Sequence, residues 1–262
     1  MRADVWLVEN GLVPSRQKAQ ELIAAGRVVL KLGDGREQPV RKPSQVILDP
    51  SMKLFITKTD EPEFVSRGGL KLYGALRKAP VFHVANATVL DLGISTGGFT
   101  DCLLQAGAAR VVGVDVGHGQ LHPSLQADPR VAAFEGVNVR GLPEAADEAL
   151  RAALPEAGFA LVVAALSFIS LAHALAPAAA LLREGGILLA LVKPQFEVGP
   201  GGVDSRGIVR DASRHAEVRQ RIEAAARAAG LAPRGWHDSP IRGGDGNREF
   251  FLHAVKATNA VK

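Results

Sequence analysis

The stretch VLDLGISTGGFTD, residues 89–101, sets an acid and three glycines within a few positions of one another. Apolar residues lead to Asp91, and Gly93, Gly97 and Gly98 follow before a helix-forming run. Glycines let a backbone turn sharply and approach a ligand closely. The free N–H groups and positive dipole end of the following helix favour a polar or anionic ligand. A nucleotide-like ligand lying over this turn is the expectation. The next apolar run, RVVGVDVG, carries Asp115 at its end, where a carboxylate can accept hydrogen bonds from both ribose hydroxyls. The spacing is not GxGxxG, which argues against a dinucleotide. Ordinary alternatives stand beside these assignments: helix-start packing for Gly97 and Gly98, and a strand-end turn for Asp115. Asn138 either lines an adenine pocket or simply forms a turn.

Three further polar residues stand in apolar or glycine-rich surroundings. SRGGLKL places Lys71 near a helix start, LLALVKPQFEVG places Lys193 where an apolar strand ends, and GNREFFLHAV brings Glu249 into a hydrophobic strand. Lysines are rarely buried without a partner, so Lys193 is the most unusual of the three. Against a chemical role stand a lysine that snorkels from a strand end, a solvated helix charge at Lys71 and a strand-edge residue at Glu249.

The elements that must position these residues follow from patterning. Helices are expected at 3–11 and 15–26, the second capped by Ser15 and stopped by Gly26, then β segments at Val28–Lys31, Val46–Leu48 and Lys53–Ile56. After an acidic, proline-containing linker comes a helix at 69–78. Strands at 88–92, 110–115, 131–135, 159–165 and 186–192 then alternate with helices at 98–107, 121–127, 143–153, 170–183 and 212–229. Two strands, 232–238 and 249–256, close the pattern. Such alternation predicts a mostly parallel sheet covered on both faces, with ligands at the carboxyl ends of its strands.

Hydrophobic residues make up 47% and charged residues 22%, a globular balance that excludes a disordered chain. Net charge is +4, unevenly spread: residues 1–80 carry 14 Lys and Arg against 9 Asp and Glu, and the remainder 17 against 18. A basic front suggests a polyanionic partner, or only a solvated surface. The single cysteine, Cys102, rules out an intrachain disulfide and reads as a structural thiol in a reducing compartment. Charges in MRADVWLVENG stand where a secretory signal needs an apolar core, so a cytoplasmic location is expected. Residues 157–182 hold no formal charge, but Ser167, Ser170, His173 and Pro177 divide them into strand, turn and helix rather than a membrane span.

The order SRGGLKL, LDLGISTGGFTD, VGVDVGHGQL, VVAALSFISL, LVKPQFEVG and GNREFFL strongly resembles the TlyA/hemolysin-A family of ribosomal RNA 2′-O-methyltransferases, relatives of FtsJ and RrmJ. The front segment SRQKAQELIAAGRV is similar to an RNA-binding fold named after a small-subunit ribosomal protein. The resemblance implies a small α+β RNA-binding domain over 1–58, a linker over 59–67, and a class I, Rossmann-like methyltransferase domain over 68–262 with a seven-stranded, mostly parallel sheet. It implies S-adenosyl-L-methionine as cofactor, held by Asp91, Gly93, Ser95, Gly97, Gly98, Phe99, Asp115 and Asn138. It implies ribosomal RNA or a ribosomal subunit as partner, with Arg16, Lys18, Arg27, Lys31 and Arg67 as contacts to RNA. Family members use a Lys-Asp-Lys-Glu tetrad around the target 2′-hydroxyl. By motif Lys71, Lys193 and Glu249 are its two lysines and its glutamate.

The aspartate does not carry over. The family pattern is approximately V-V-A-D-L-S-F-I-S, and this chain has Ala165 in place of the acid. The alanine is either a replacement made within an intact motif or a natural departure from it. Without that carboxylate two lysines share one glutamate, and transfer is expected to be impaired while cofactor and RNA binding persist. The chain ends soon after GNREFFL, as in the shorter family type, which favours a cytidine of 23S over 16S RNA as target. A non-catalytic RNA-binding or ribosome-assembly factor is the alternative that Ala165 supports. A pore-forming hemolysin is disfavoured by the interrupted apolar stretch and by the glycine loop.

Overall fold

The apolar runs of the sequence become three buried clusters in the computed structural model, which describes residues 1–47, 52–57, 62–78, 84–199 and 201–258. The chain divides into two compact units, Met1–Pro62 and Glu63–Lys262.

In the first unit, α1 (Ala3–Glu9) and α2 (Arg16–Ala24) precede β1 (Val28–Lys31), β2 (Glu37–Pro39) and β3 (Lys53–Ile56). The Ser15 hydroxyl accepts a hydrogen bond from the Lys18 N–H at 3.2 Å and so starts α2. Gly26, at φ 70°, lets the chain leave the helix. β1 is the central strand, antiparallel to both neighbours. Leu7, Ala19, Ile23, Val28, Leu30 and Leu54 close the core. Both helices are shorter than their sequence patterns suggested. β2 escapes sequence analysis because Glu37, Gln38 and Pro39 are all exposed and show no alternation. Of the expected segment 46–48, Val46 forms only an isolated bridge with Arg2, and Leu48 lies outside the described residues.

The second unit begins with α3 (Arg67–Lys78) and continues as β4 (Thr88–Leu92), α4 (Gly98–Gln105), β5 (Arg110–Asp115), α5 (Pro123–Gln126), β6 (Val131–Glu135), α6 (Glu148–Ala153), β7 (Phe159–Ala164), α7 (Ala172–Leu181), β8 (Leu182–Val192), α8 (Ala212–Ala228), β9 (Leu231–Asp238) and β10 (Phe250–Lys256). The seven strands form one sheet in the order β6-β5-β4-β7-β8-β10-β9. All pairs from β6 to β8 are parallel, and β10 is antiparallel to both of its neighbours. The seven-stranded, mostly parallel sheet implied by the resemblance is therefore present.

Period-two alternation explains the two layers. Leu90, Leu92, Val162 and Ala164 face one buried cluster, whereas Val89, Leu161, Val163 and Leu189 face the other. Cys102 packs in the second cluster, and burial pushes its thiol up to about 12. The uncharged stretch 157–182 resolves into β7, a turn and α7. Among the described residues no helix is long and apolar enough to cross a membrane.

Two boundaries depart from expectation. β8 starts at Leu182, directly after α7, so Arg183 to Gly185 extend the strand although their polarity reads as a turn. The helix expected over 143–153 begins only at Glu148, where Asp147 accepts a hydrogen bond from the Leu150 N–H at 2.8 Å.

Candidate active site

Sheet register brings the chemistry to one edge. β4 ends at Leu92, which pairs with Val114 of β5 and Ala164 of β7, so Asp115 and Ala165 emerge on either side of the glycine loop. The strand order reverses direction at β4, the switch point at which such sheets open a ligand crevice. Because β10 runs antiparallel to β8, Phe250 lies opposite Val192. Glu249 and Lys193, remote in sequence, therefore meet at the same edge.

The glycine loop is built around close approaches. Gly97 has φ 91°, and a Cβ there would sit 2.2 Å from Leu125 Cδ1. A Cβ on Gly98 would sit 2.2 Å from Ser66 Oγ and 2.9 Å from the Gly69 nitrogen. Only glycine lets α3, α4 and the loop converge here. Asp115 holds the loop from the far side, accepting hydrogen bonds from the Ser95 N–H at 2.9 Å and the Gly117 N–H at 2.8 Å. Ser95 is itself in the left-handed region, at φ 45°, with its hydroxyl donating to Gln120 Oε1 at 2.9 Å.

A cavity of about 390 Å³ opens beside this loop, within the roughly 300–1,000 Å³ of small-molecule sites. Gly93, Ser95, Asp115, Asn138, Ala165 and Phe168 are among its lining residues. Asn138 does two things: it lines the cavity, and its side chain caps a short 3₁₀ turn by accepting from the Arg140 N–H at 3.1 Å. Asp91 is elsewhere. It is fully buried beneath the loop, where Oδ2 accepts from the Thr100 hydroxyl at 2.7 Å and Oδ1 has no hydrogen-bond partner among the described residues. Burial, reinforced by Asp115, raises its carboxyl to about 7. A concave wall with a carboxylate at one strand end and glycine backbone at the other has the donor and acceptor set for an adenosyl ligand with a ribose.

A second cavity, of about 160 Å³, shares Gly93, Ser95, Ala165 and Ser167 with the first and is also lined by Lys71, Phe99 and Lys193. A third, of about 410 Å³, has Lys71, Phe168, Lys193, Gln195, Asp245 and Glu249 in its wall. Lys71 from α3 donates to Glu249 Oε2 at 2.5 Å, and the side chains are 11% and 2% exposed. Lys193 Nζ donates to Ser167 Oγ at 2.7 Å and to the Ala165 carbonyl at 3.3 Å. Burial pulls Lys193 down to about 8, against the attraction of Glu249 and with some help from Lys71.

The arrangement therefore brings Lys71, Lys193, Glu249 and Ala165 to one place, with Gly93, Ser95, Asp115 and Asn138 in the adjoining cavity. Gly98 and Phe99 line the junction, and Gly97 shapes the loop from behind. The basic residues of the first unit are differently disposed. Arg16 reaches the buried Asp4 at 3.2 Å, Arg27 donates to the Thr57 carbonyl at 3.1 Å, and Lys31 lies 6.0 Å over the Phe55 ring. Lys18 is half-buried on α2. Arg67 belongs to the second unit, where it opens α3 and donates to the Arg242 carbonyl at 3.0 Å.

Four residues with clear roles were not singled out by sequence. Glu197, 4% exposed, accepts from the Ser170 hydroxyl and the Leu171 N–H, tying the segment after β7 to the segment after β8. Arg221 reaches the same glutamate's backbone and carboxylate. Asn247, fully buried, joins Val209 and Gly207 to the segment before β10 that carries Glu249. Phe168 has φ 65°, is 88% exposed and lies against Phe196. A signal was available for Glu197 alone, a charged residue soon after an apolar strand.

Known proteins share this organisation. The FtsJ-like methyltransferase family model matches residues 64–256, and an S4 domain model matches residues 1–30. The 16S/23S rRNA (cytidine-2′-O)-methyltransferase TlyA of Mycobacterium tuberculosis is 45% identical over 96% of this chain and 88% of its own length. The 23S rRNA (cytidine-2′-O)-methyltransferase TlyA of Campylobacter jejuni is 31% identical over 98% of this chain and 100% of its own. A solved structure of a hemolysin-named protein from Streptococcus thermophilus superposes with a TM-score of 0.71 at 38% identity, covering 98% of this chain and 88% of that one.

Proposed function

We propose that this chain, which belongs to the FtsJ-like methyltransferase family and carries an S4 domain ahead of it, methylates the 2′-hydroxyl of a cytidine in ribosomal RNA in the cytoplasm, using S-adenosyl-L-methionine. The observation that carries the reading is the shared lining of the cavities: Ala165 and Ser167 wall both the one bounded by Asp115 and the glycine loop and the one beside it, whose Lys71 and Lys193 also wall the one that holds the Lys71–Glu249 pair. When bound, the cofactor supplies a methyl group already activated on a sulfonium. The residues then need only align the acceptor and handle a proton.

Their chemistry suits a ribose hydroxyl, a poor nucleophile. Lys71 is neutralised by Glu249 and offers a fixed donor that orients the ribose. Lys193, pulled down to about 8, is partly neutral near physiological pH and can take the hydroxyl proton. Phe168, turned outward beside the third cavity, offers a ring face on which a base can stack. The S4 domain supplies RNA affinity ahead of the catalytic unit. For the target, 23S RNA is favoured: one relative is named for 23S alone and another for 16S and 23S together.

Ala165 leaves this site with two lysines and one buried carboxylate, so transfer should be slow while cofactor and RNA still bind. That same alanine supports the second reading, an RNA-binding assembly factor without useful turnover. Mass-spectrometric mapping of ribose methylation in rRNA incubated with the protein and cofactor decides between them. Methylation at one cytidine supports the enzyme, and RNA binding without any methylation supports the assembly factor.

A further inference from the structure

We propose that Ser167 is a positioning residue for the reaction, holding Lys193 toward the acceptor hydroxyl in the absence of a carboxylate at position 165. The inference rests on the 2′-O-methylation reading above. Ser167 lines all three cavities, so it stands where cofactor side and acceptor side join. Its hydroxyl oxygen accepts from Lys193 Nζ at 2.7 Å, closer than the Ala165 carbonyl at 3.3 Å.

The remaining charged groups around Lys193 come from other elements. Lys71 faces it from α3, and Glu249 and Asp245 from the loop that leads into β10. Glu249 is committed to Lys71. Lys193 is thus held by two neutral oxygens from the segment that follows β7.

That arrangement has a geometric consequence. A neutral amine has two N–H donors and one lone pair. With its donors occupied by Ser167 and the Ala165 carbonyl, the lone pair is left for a third direction, the cavity in which the acceptor is expected. In the transfer, the 2′-oxygen forms its bond to the methyl carbon as the carbon–sulfur bond breaks. The bonding pair stays on sulfur, giving a neutral thioether, and the hydroxyl proton passes to Nζ, giving an ammonium. Loss of the Ser167 acceptor would free the amine to rotate and would remove an oxygen that stabilises its charged form.

The test uses the full-length protein with ¹³Cε-labelled lysine and reads the Lys193 titration by NMR, assigned against Lys193→Arg. Single-turnover transfer to rRNA and cofactor affinity by calorimetry are measured beside it. Ser167→Ala should lower the Lys193 midpoint and slow transfer about tenfold, the effect of losing one hydrogen bond to a charged group, with cofactor affinity unchanged. Ser167→Thr, which keeps the hydroxyl, should restore most of the rate. In an Ala165→Asp background a carboxylate takes over the lysine, and Ser167→Ala should then cost under about threefold. The proposal is overturned if Ser167→Ala leaves the midpoint unmoved, if Ser167→Thr is as slow as Ser167→Ala, or if the serine matters equally in both backgrounds. Should the protein transfer no methyl group to any rRNA, the functional reading fails, while the titration still decides the role of Ser167.

Discussion

The two halves of the site are made differently. The cofactor side is local: Gly93, Ser95, Gly97, Gly98 and Asp115 come from one β-loop-α-β segment, and backbone N–H groups already satisfy Asp115. The acceptor side is assembled from afar, with Lys71 and Glu249 separated by 178 positions and joined only through the antiparallel return of β10. On the proposed reading it is also short by one carboxylate, because Ala165 stands where the family pattern has an acid. The difference teaches that a preformed binding half can persist while the reacting half changes, because they depend on different contacts.

Substitutions should separate the halves. Glu249→Gln leaves the Lys71 ammonium in a buried place without its counter-charge. It should cost roughly a hundredfold or more in single-turnover transfer and about 3–5 kcal/mol of stability in denaturant unfolding. Calorimetry should show cofactor affinity almost untouched. Gly97→Ala does the reverse. Its Cβ meets Leu125 in a left-handed backbone, so cofactor affinity should fall on the order of tenfold or more by calorimetry.

The pH profile of transfer reports chiefly on Lys193, while Asp91 under the loop, raised to about 7, titrates at the lower end of the same window. A lysine lowered to about 8 by burial is charged below that pH and free to accept a proton above it. The rate should therefore rise roughly tenfold between pH 7 and 9 and then level. A flat rate would remove Lys193 as the proton acceptor. The smallest effect belongs to the S4 unit. Lys31→Ala should weaken rRNA binding only a few-fold and reduce the salt slope by about one, measured by filter binding across a salt series.

The two halves also differ in how far sequence alone exposes them. Glycine spacing and a strand-terminal acid announce the cofactor loop, since both are short-range requirements of the backbone. Asp91 was expected among the cofactor ligands, yet it lies under the loop, because an acid that closes an apolar strand can serve Thr100 as readily as a ligand. On the acceptor side, no local pattern joins Lys71 to Glu249 or Lys193 to Ser167, and only the family resemblance brought the first three together. Glu197 and Asn247 escaped because their partners lie 26 to 40 residues away. In the fold, β2 and the start of β8 escaped because exposed or charged residues can extend a ladder through backbone hydrogen bonds without any apolar alternation.

The central claim is that this chain is a complete methyl-transfer site lacking one carboxylate. The direct test is single-turnover methylation of rRNA by the protein and by its Ala165→Asp version, with the modified ribose mapped in each. The account predicts the same cytidine in both, with equal cofactor affinity and a rate at least about tenfold higher for Ala165→Asp. Equal rates, or methylation by neither, would contradict it.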